Sequence, residues 1–563
     1  MNLSLHYLGH SGVVPASGGL SLLFAPNLAR PRTFLDAELR EPVRFREAVS
    51  ALHEVVVGDL RFRKKDRTAY LEWQKDQAAG EEELRRSVSS EAKKAELARL
   101  AEEPPPEGLE AAFRKMHGIY WKARRTWANE LARIDPELFR HLVPCDPVVT
   151  VAPDVVLFEA FAKDESSYGC LSLDRGALSG HQEAGLGTTN VDYSLALYEH
   201  FQTLRSYRPT RLLVDPTGFE VNVAGRADYR EERIDLPPSW LRGFGQLQAA
   251  MALPSRRIDV PVEAVYSILA FLKRHRERTG PRSLRFLLEP GKPASIVLEP
   301  WGVVVPGRGR AVDGDRPEEI KVWGRRRLLV LSRLLPLVER FEVTLLGSGL
   351  PSIWTAFMGE MRFTLALSGW TTNDWTAGAN LDLLAGTLAS DPNAVEIVSG
   401  HLEDEPKATF RELESSTGLA TGRLLGALHD LARRGQVLYD FASGAYRQRP
   451  ALPFELSAEL VGPEPPELAA ARQLFQARKV AIRRTEELSG GRTLYVAKVE
   501  GTSCETILDG DGRFTKARCT CKVFFKGGLR AGPCGHLLAL RFEAHGAPAA
   551  PVNFTAAAGR WIN

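Results

Sequence analysis

The stretch CTCKVFFKGGLRAGPCGH, residues 519–536, organises the C-terminal part of the chain. Its cysteines and its histidine have the spacing C-x-C-x12-C-x-H and form two tight pairs, Cys519 with Cys521 and Cys534 with His536. Alternate residues of a strand point to the same face, so the first pair can face one ion. Three sulfur ligands and one nitrogen ligand complete the tetrahedral shell of a closed Zn²⁺ site. The pattern therefore predicts one structural zinc ion per chain.

The residues around this pattern predict a small β domain. Residues 493–500 and 504–508 alternate like strands, Asp511-Gly512 predicts a hairpin turn, and a helix is expected from Leu537 onwards. Cys504 lies outside the ligand spacing and is expected to be a buried apolar cysteine. Because protein side chains would fill all four metal positions, the zinc is expected to stabilise a fold and not to activate water.

Residues 494–543 resemble the SWIM zinc finger family in the order of their elements: strands, two ligands, a loop, two more ligands and a helix. Bacterial proteins with such a finger behind a long N-terminal region are similar to this chain, and the stretch 345–384 adds to the resemblance. The family resemblance implies DNA binding or protein interaction. It also implies a place in a multi-protein system, since some of these proteins are encoded beside AAA+ ATPases and von Willebrand A-type proteins.

A second module precedes the finger. Residues 409–416 and 421–434 have helical periodicity, and the runs 436–441 and 445–448 flank a turn. Helix, turn, helix and hairpin in this order resemble a winged helix-turn-helix. The helical spacing predicts that four leucines are buried: Leu413, Leu424, Leu428 and Leu431.

The second helix of this module has few side chains that could read bases. Arg423 is its candidate nucleic-acid contact, while most other positions are Leu, Gly or Ala. Candidate phosphate contacts are Arg433, Arg434, Arg447 and Arg449. Acidic residues nearly balance the basic ones in this module, so DNA binding and protein packing both remain open for it.

The chain as a whole is predicted to be a multidomain α+β protein, because 563 residues exceed the length of one typical domain. The predicted parts are an N-terminal region with a helical hairpin (1–146), a mixed α/β domain (147–392), the winged-helix-like domain (393–449), a Pro-rich linker (450–467) and the zinc finger domain (468–563).

The charge of the chain restricts any nucleic-acid surface to a local one. The 73 basic and 70 acidic residues give a net charge of only +3, whereas residues 467–541 contain 14 basic and 7 acidic residues. The candidate nucleic-acid contacts of the finger are Lys516, Arg518, Lys522, Lys526 and Arg530. Phe524 and Phe525 lie between these residues and are expected either beside nucleic acid or in a small core.

The sequence lacks the signs of several other protein classes. No apolar run reaches the ~20 residues that cross a bilayer, and no signal peptide is recognisable. Three of the six cysteines fall within sixteen residues, which favours metal binding in a reducing compartment over a disulfide framework, so a cytoplasmic protein is expected. Walker A, HExxH, GxSxG and dinucleotide-binding motifs are missing. The sequence favours a non-catalytic zinc-binding adaptor that contacts nucleic acid, protein partners or both. A protein-interaction scaffold without nucleic-acid binding and an unrecognised enzyme such as a nuclease are the alternatives.

Overall fold

The fold is taken from a computed structural model of the chain. The residues that it describes are 12–16, 19–24, 34–57, 147–162, 164–190, 198, 201–202, 204–207, 209–214, 238–275, 283–314, 316–369, 375, 381–384, 391–449, 466–488, 491–510 and 512–545. All of them belong to one compact unit, Ser4–Asp59 with Cys145–Asn563. The predicted helical hairpin within 1–146 and the linker residues 450–465 lie outside the described residues.

An antiparallel sheet of eight strands forms the largest layer. From edge to edge its strands are β10 (Arg256–Val260), β15 (Arg340–Leu345), β16 (Ser352–Met358), β17 (Met361–Leu367), β6 (Ser167–Asp174), β5 (Val155–Phe161), β4 (Val148–Val151) and β8 (Gly187–Asn190). Every residue of β4 and β5 is buried, as expected for a strand covered on both faces.

Two helices cover this sheet. Helix α1 (Pro42–Val57) lies close to β6 because Gly169 of that strand has no side chain. A Cβ at this position would lie only 2.9 Å from Leu52 Cδ1 of the helix. Helix α2 (Pro238–Met251) packs through Phe244, whose ring centroid lies 5.1 Å from that of Phe161. The middle strands of this sheet are therefore buried, whereas its edge strand β10 is mostly exposed.

Two smaller sheets complete the N-terminal part. The first contains β1 (Gly12–Ala16), β2 (Gly19–Phe24), β9 (Thr210–Val214), β3 (Phe34–Leu39) and β7 (Leu178–Gly185), with β2 and β9 parallel. The second contains β13 (Val303–Val305), β12 (Ser295–Leu298), β11 (Leu284–Leu288) and β14 (Glu318–Val322). Helix α3 (Val262–Arg274) and 3-10 segments at Arg175–Ala177 and Arg325–Arg333 connect these layers. The short helix α4 (Leu381–Leu384) follows β17 in the chain, and its Leu381 N–H donates to Gln246 of α2 at 2.7 Å.

Residues 391–449 form a helical module with a small sheet. Its elements are α5 (Pro392–Asp404), β18 (Lys407–Ala408), α6 (Phe410–Thr417), α7 (Thr421–Arg433), β19 (Val437–Asp440) and β20 (Ala445–Gln448). Helix α6 begins in a capping box, in which Thr409 and Glu412 satisfy each other's backbone N–H, and ends at Gly418 with φ 65°. The predicted burial of Leu413, Leu424, Leu428 and Leu431 is confirmed.

Residues 466–545, the finger module, contain an antiparallel meander and three helices. The elements are α8 (Pro466–Gln476), β21 (Val480–Leu488), β22 (Arg492–Val499), β23 (Thr502–Leu508), β24 (Phe514–Cys519), α9 (Lys522–Gly527) and α10 (Gly535–His545). Pro466 and Glu467, which the sequence places in the linker, form the first turn of α8 because proline is tolerated there. The module thus contains α8, β21 and α9 in addition to the predicted strands and helix.

The described chain is a mixed α/β protein with several antiparallel sheets, as the sequence predicts at that level. Within the described ranges, no helix combines the length and the apolar character that a membrane span requires.

Candidate metal centre

The four predicted ligands lie where strand β24 ends and two helices begin. Cys519 is the last residue of β24, Cys521 caps α9, Cys534 directly precedes α10 and His536 is in its first turn. One ligand atom from each residue can be chosen so that all four lie within 4.8 Å of one another. The structure therefore brings the two sequence pairs together at one candidate metal site.

Backbone geometry positions these sulfur atoms. The extended conformation of Cys521, with φ −74° and ψ 155°, points its sulfur back to the start of α9, where Phe524 N–H donates to Sγ at 3.4 Å. The Leu538 N–H donates to the Cys534 carbonyl at 3.1 Å, which anchors that residue to the first turn of α10. A groove of about 520 Å³ between α8 and this site is lined by Cys521, Cys534 and His536.

Neighbouring thiols and burial shift the pKa values of three of the four candidate ligands. A hydrogen bond with Cys504 is the main reason that the pKa of Cys519 rises to about 12, and the pKa of Cys534 is raised chiefly by its hydrogen bond with Cys519. Burial lowers the pKa of His536, so its ring is neutral at pH 7 and has a lone pair to offer. A divalent cation would favour the thiolate forms, and a Cys₃His donor set fits Zn²⁺.

Cys504 is buried, as the sequence predicts, but it lies next to the site. It faces Cys519 across strands β23 and β24, and the two Sγ atoms are 3.6 Å apart. It is outside the cluster of four ligand atoms. Sequence spacing missed this proximity because strand register, and not spacing along the chain, places the two residues opposite each other.

The predicted nucleic-acid contacts of the finger are exposed where the structure describes them. Lys516 and Arg518 are exposed on β24 and Lys522 on α9, while the side chains of Lys526 and Arg530 lie outside the described residues. Phe525 is 89% exposed, so the predicted small core does not include it. Exposed basic and aromatic side chains thus lie within four residues of Cys519 or Cys521 along the chain.

The candidate contacts in residues 391–449 are engaged within the chain. Arg423 donates to Asp391, the N-cap of α5, with its Nε at 2.7 Å from Oδ2. Arg434 Nη2 donates to Asp430 at 2.6 Å. A Cβ at Gly245 of α2 would lie 2.8 Å from Arg433 Cγ, so α2 packs directly against α7. This packing, together with the burial of eight residues of α7, leaves little of that helix to read bases.

The prediction that Arg447 and Arg449 contact phosphate is wrong, because both side chains are buried among carboxylates. Arg447 donates to Asp154 in a bidentate pair, at 2.6 and 2.9 Å, and to Asp440 at 2.8 Å. Arg449 lies 3.4 Å from Glu159 of β5, and both side chains are 0% exposed. These carboxylates neutralise the arginines and tie β20 to the central sheet.

Acid should weaken this connection. Burial alone would raise the pKa of Asp154, but hydrogen bonds and charge from Arg447 and Lys407 hold it well below its usual range. A carboxylate with a depressed pKa adds stability above its unfolded-state pKa, about 3.9, and loses it as the pH falls towards the folded value. We therefore expect Asp154→Asn to lower the thermal midpoint at pH 7, and the difference from wild type to shrink below about pH 4.

Calorimetry at pH 7, 5, 4 and 3 measures this difference. Asp313→Asn is the matched control, because Asp313 is exposed and has one exposed partner, Arg310. A destabilisation by Asp154→Asn that stays constant down to pH 3 would contradict the assigned ion pair.

Comparisons with known proteins leave the family open. No protein-family model matches the chain, and no curated protein matches it either. Among solved structures, proliferating cellular nuclear antigen from Entamoeba histolytica is similar to part of this chain. The aligned region covers 40% of this chain and 89% of that protein, at 9% identity and a TM-score of 0.27. A likeness at this TM-score shows neither a shared fold nor a shared function.

Proposed function

We propose that this protein is a non-catalytic adaptor with a SWIM-type zinc finger, which contacts nucleic acid beside its zinc site and protein partners elsewhere. The observation that carries the proposal is the approach of four ligand atoms to within 4.8 Å of one another, next to exposed basic side chains. Cys519, Cys521, Cys534 and His536 would hold one Zn²⁺ and fill its tetrahedral shell. Such an ion stabilises the surrounding fold and offers no open position to a substrate.

The surface beside the site has the properties of a nucleic-acid contact. Lys516, Arg518 and Lys522 are exposed and can neutralise phosphate. Phe525, on the same short helix as Lys522, presents a ring that could stack on an unpaired base. We expect sequence-tolerant binding, because phosphate contacts and stacking do not read base edges.

We infer that residues 391–449 are a winged helix-turn-helix used for packing within the chain and not for reading DNA. Support comes from the buried pair of Arg449 with Glu159 and from the packing of α2 on α7. A recognition helix covered in this way cannot enter a major groove.

Changing Lys516, Arg518 and Lys522 together to Ala tests the nucleic-acid contact. Each lost phosphate contact reduces the slope of log affinity against log salt by about 0.9 on duplex DNA, so the triple variant should flatten it by up to about 2.7. Fluorescence anisotropy with labelled single-stranded and duplex DNA, between low and physiological salt, measures the slope. The matched control changes three other exposed basic residues: Lys273, Arg274 and Arg308.

Equal slopes for the triple variant and the wild type, or no binding by the wild type at low salt, would count against a nucleic-acid contact. The exposure of Val523 and Phe525 would then favour the second candidate, a protein-interaction scaffold that docks an apolar partner surface. No observation favours a nuclease, since within the described residues the only cluster of three or more potential metal ligands is the cysteine–histidine site.

A further inference from the structure

Cys504 and Cys519 face each other across two neighbouring strands. They are directly opposite in the register of β23 and β24, and both residues are buried. The next pair along the strands, Ser503 with Thr520, is joined by a backbone hydrogen bond from Thr520 N–H to Ser503 O at 3.2 Å. Hydrogen-bonded and non-hydrogen-bonded pairs alternate in an antiparallel ladder, so the cysteine pair is the non-hydrogen-bonded one, in which side chains approach most closely.

The sulfur atoms are already near bonding geometry. The Sγ atoms lie 3.6 Å apart, whereas a disulfide has a length of about 2.05 Å and joins residues whose Cα atoms are about 4.4–6.8 Å apart. A non-hydrogen-bonded pair, with Cα atoms about 4.5 Å apart, falls within that range. Rotation of the side chains can therefore close the bond without separating the strands.

The two cysteines differ in their chemical role. Cys519 belongs to the ligand cluster, while Cys504 does not and keeps a thiol whose sulfur is 3.7 Å from the Thr502 carbonyl oxygen. A bond between them would remove one of four ligands from the metal. The groove lined by Cys521, Cys534 and His536 opens the site to small solutes.

We propose that Cys504 and Cys519 are a hydroperoxide-sensitive pair, whose oxidation to a disulfide releases the zinc and disables the finger. The inference rests on the proposed zinc binding. It assigns to Cys504 a function that its place outside the ligand spacing does not suggest.

The reaction has two steps. The Cys519 thiolate attacks one oxygen of hydrogen peroxide, the O–O bond breaks, and the departing hydroxide takes a proton from solvent to form water. The Cys504 thiol then attacks the resulting sulfenic sulfur, the S–S bond forms, the S–O bond breaks, and the hydroxide leaves with the thiol proton as a second water. Peroxide is reduced by two electrons, and the two sulfur atoms are oxidised by one electron each. With three ligands left, the ion is lost to a chelator.

The experiment uses the full-length zinc-loaded chain and hydrogen peroxide, with a chromogenic chelator that reports zinc release. Peptide mapping without reduction identifies the disulfide, and dithiothreitol is then added to test whether zinc can bind again. We expect a disulfide between Cys504 and Cys519, loss of one zinc per chain, and full rebinding after reduction. Cys170→Ser is the matched control, because Cys170 is a buried cysteine on β6 of the central sheet.

In Cys504→Ser, zinc should bind as before, but peroxide should oxidise Cys519 to sulfinic acid, which dithiothreitol does not reduce, or to a disulfide with the ligand Cys521 or Cys534. The fraction of chains that bind zinc again after reduction should therefore fall below that of the wild type. Mapping to a different disulfide in the wild type, or zinc rebinding in Cys504→Ser as complete as in the wild type, would overturn the proposal. If the wild type binds no zinc, the proposed function fails. Peroxide treatment followed by peptide mapping then still shows whether Cys504 and Cys519 form a disulfide.

Discussion

Changing Cys534 to Ser and His536 to Ala together is expected to abolish zinc binding and to unfold the finger module, residues 466–545. Structural zinc sites contribute roughly 10–16 kcal/mol of apparent binding free energy at neutral pH, and this energy is available only to the folded state. Few other contributions in a module of this size could replace it. The zinc content measured by elemental analysis should fall from one ion per chain to none.

The packing of the module gives the physical reason for this expectation. No residue of β21 is buried, so the first strand contributes little to a core. Helix α10 contributes more buried side chains than any other element of the module, and Leu537, Leu538 and Leu540 closely follow the ligand His536. Loss of the second ligand pair releases the start of that helix and exposes its apolar residues. Hydrogen exchange should therefore become fast in α10 and in β22–β24, and stay unchanged in the central sheet.

Cys170→Ser is the control for the loss of a sulfur atom outside the cluster, and it should keep one zinc per chain. Full zinc stoichiometry in the double variant would refute the ligand assignment. If zinc is lost but hydrogen exchange is unchanged, the ligand assignment stands, but the ion has no structural role.

Arg449→Met should be among the most destabilising single changes in the described fold. Its guanidinium lies 3.9 Å from the ring centroid of Phe244 and 3.4 Å from Glu159, and both charged side chains are fully buried. Burial already raises the pKa of Glu159, so removing the positive charge leaves a carboxyl group that must be protonated or remain a buried anion. The expected cost is about 3–5 kcal/mol in the free energy of unfolding.

The double variant Arg449→Met with Glu159→Gln separates lost pairing from lost packing. Tyr168 O–H donates to the Glu159 carboxylate at 2.7 Å and can donate equally to the Gln carbonyl oxygen. Since neither side chain is then charged, most of the lost stability should return. Calorimetry of both single variants and the double variant gives the coupling energy.

Arg423→Met is the surface control, because its pair with Asp391 is exposed and should change the midpoint little. Calorimetry could instead show only a small effect of Arg449→Met, or a double variant as unstable as Arg449→Met alone. Either result would contradict the conclusion that the pair of Arg449 and Glu159 holds residues 391–449 on the central sheet.

Local features of this protein followed from its sequence. The two-residue spacings Cys519-x-Cys521 and Cys534-x-His536 predicted which side chains meet, because a strand end and a helix start present such pairs to one point. The helices, turn and hairpin of residues 409–448 were predictable for a similar reason. Their caps and apolar periods, including Thr409 and Gly418, operate over a few residues.

Only the tertiary structure decided which surfaces stay free. Arg447 and Arg449 look like phosphate contacts in the sequence, yet Arg447 pairs with Asp154, 293 residues away, and Arg449 is buried against Glu159. The approach of Cys504 to Cys519 likewise depends on strand register. Long-range burial sets these partners, because a charge removed from water must find an opposite charge wherever the fold supplies one, and no pattern along the chain records that position.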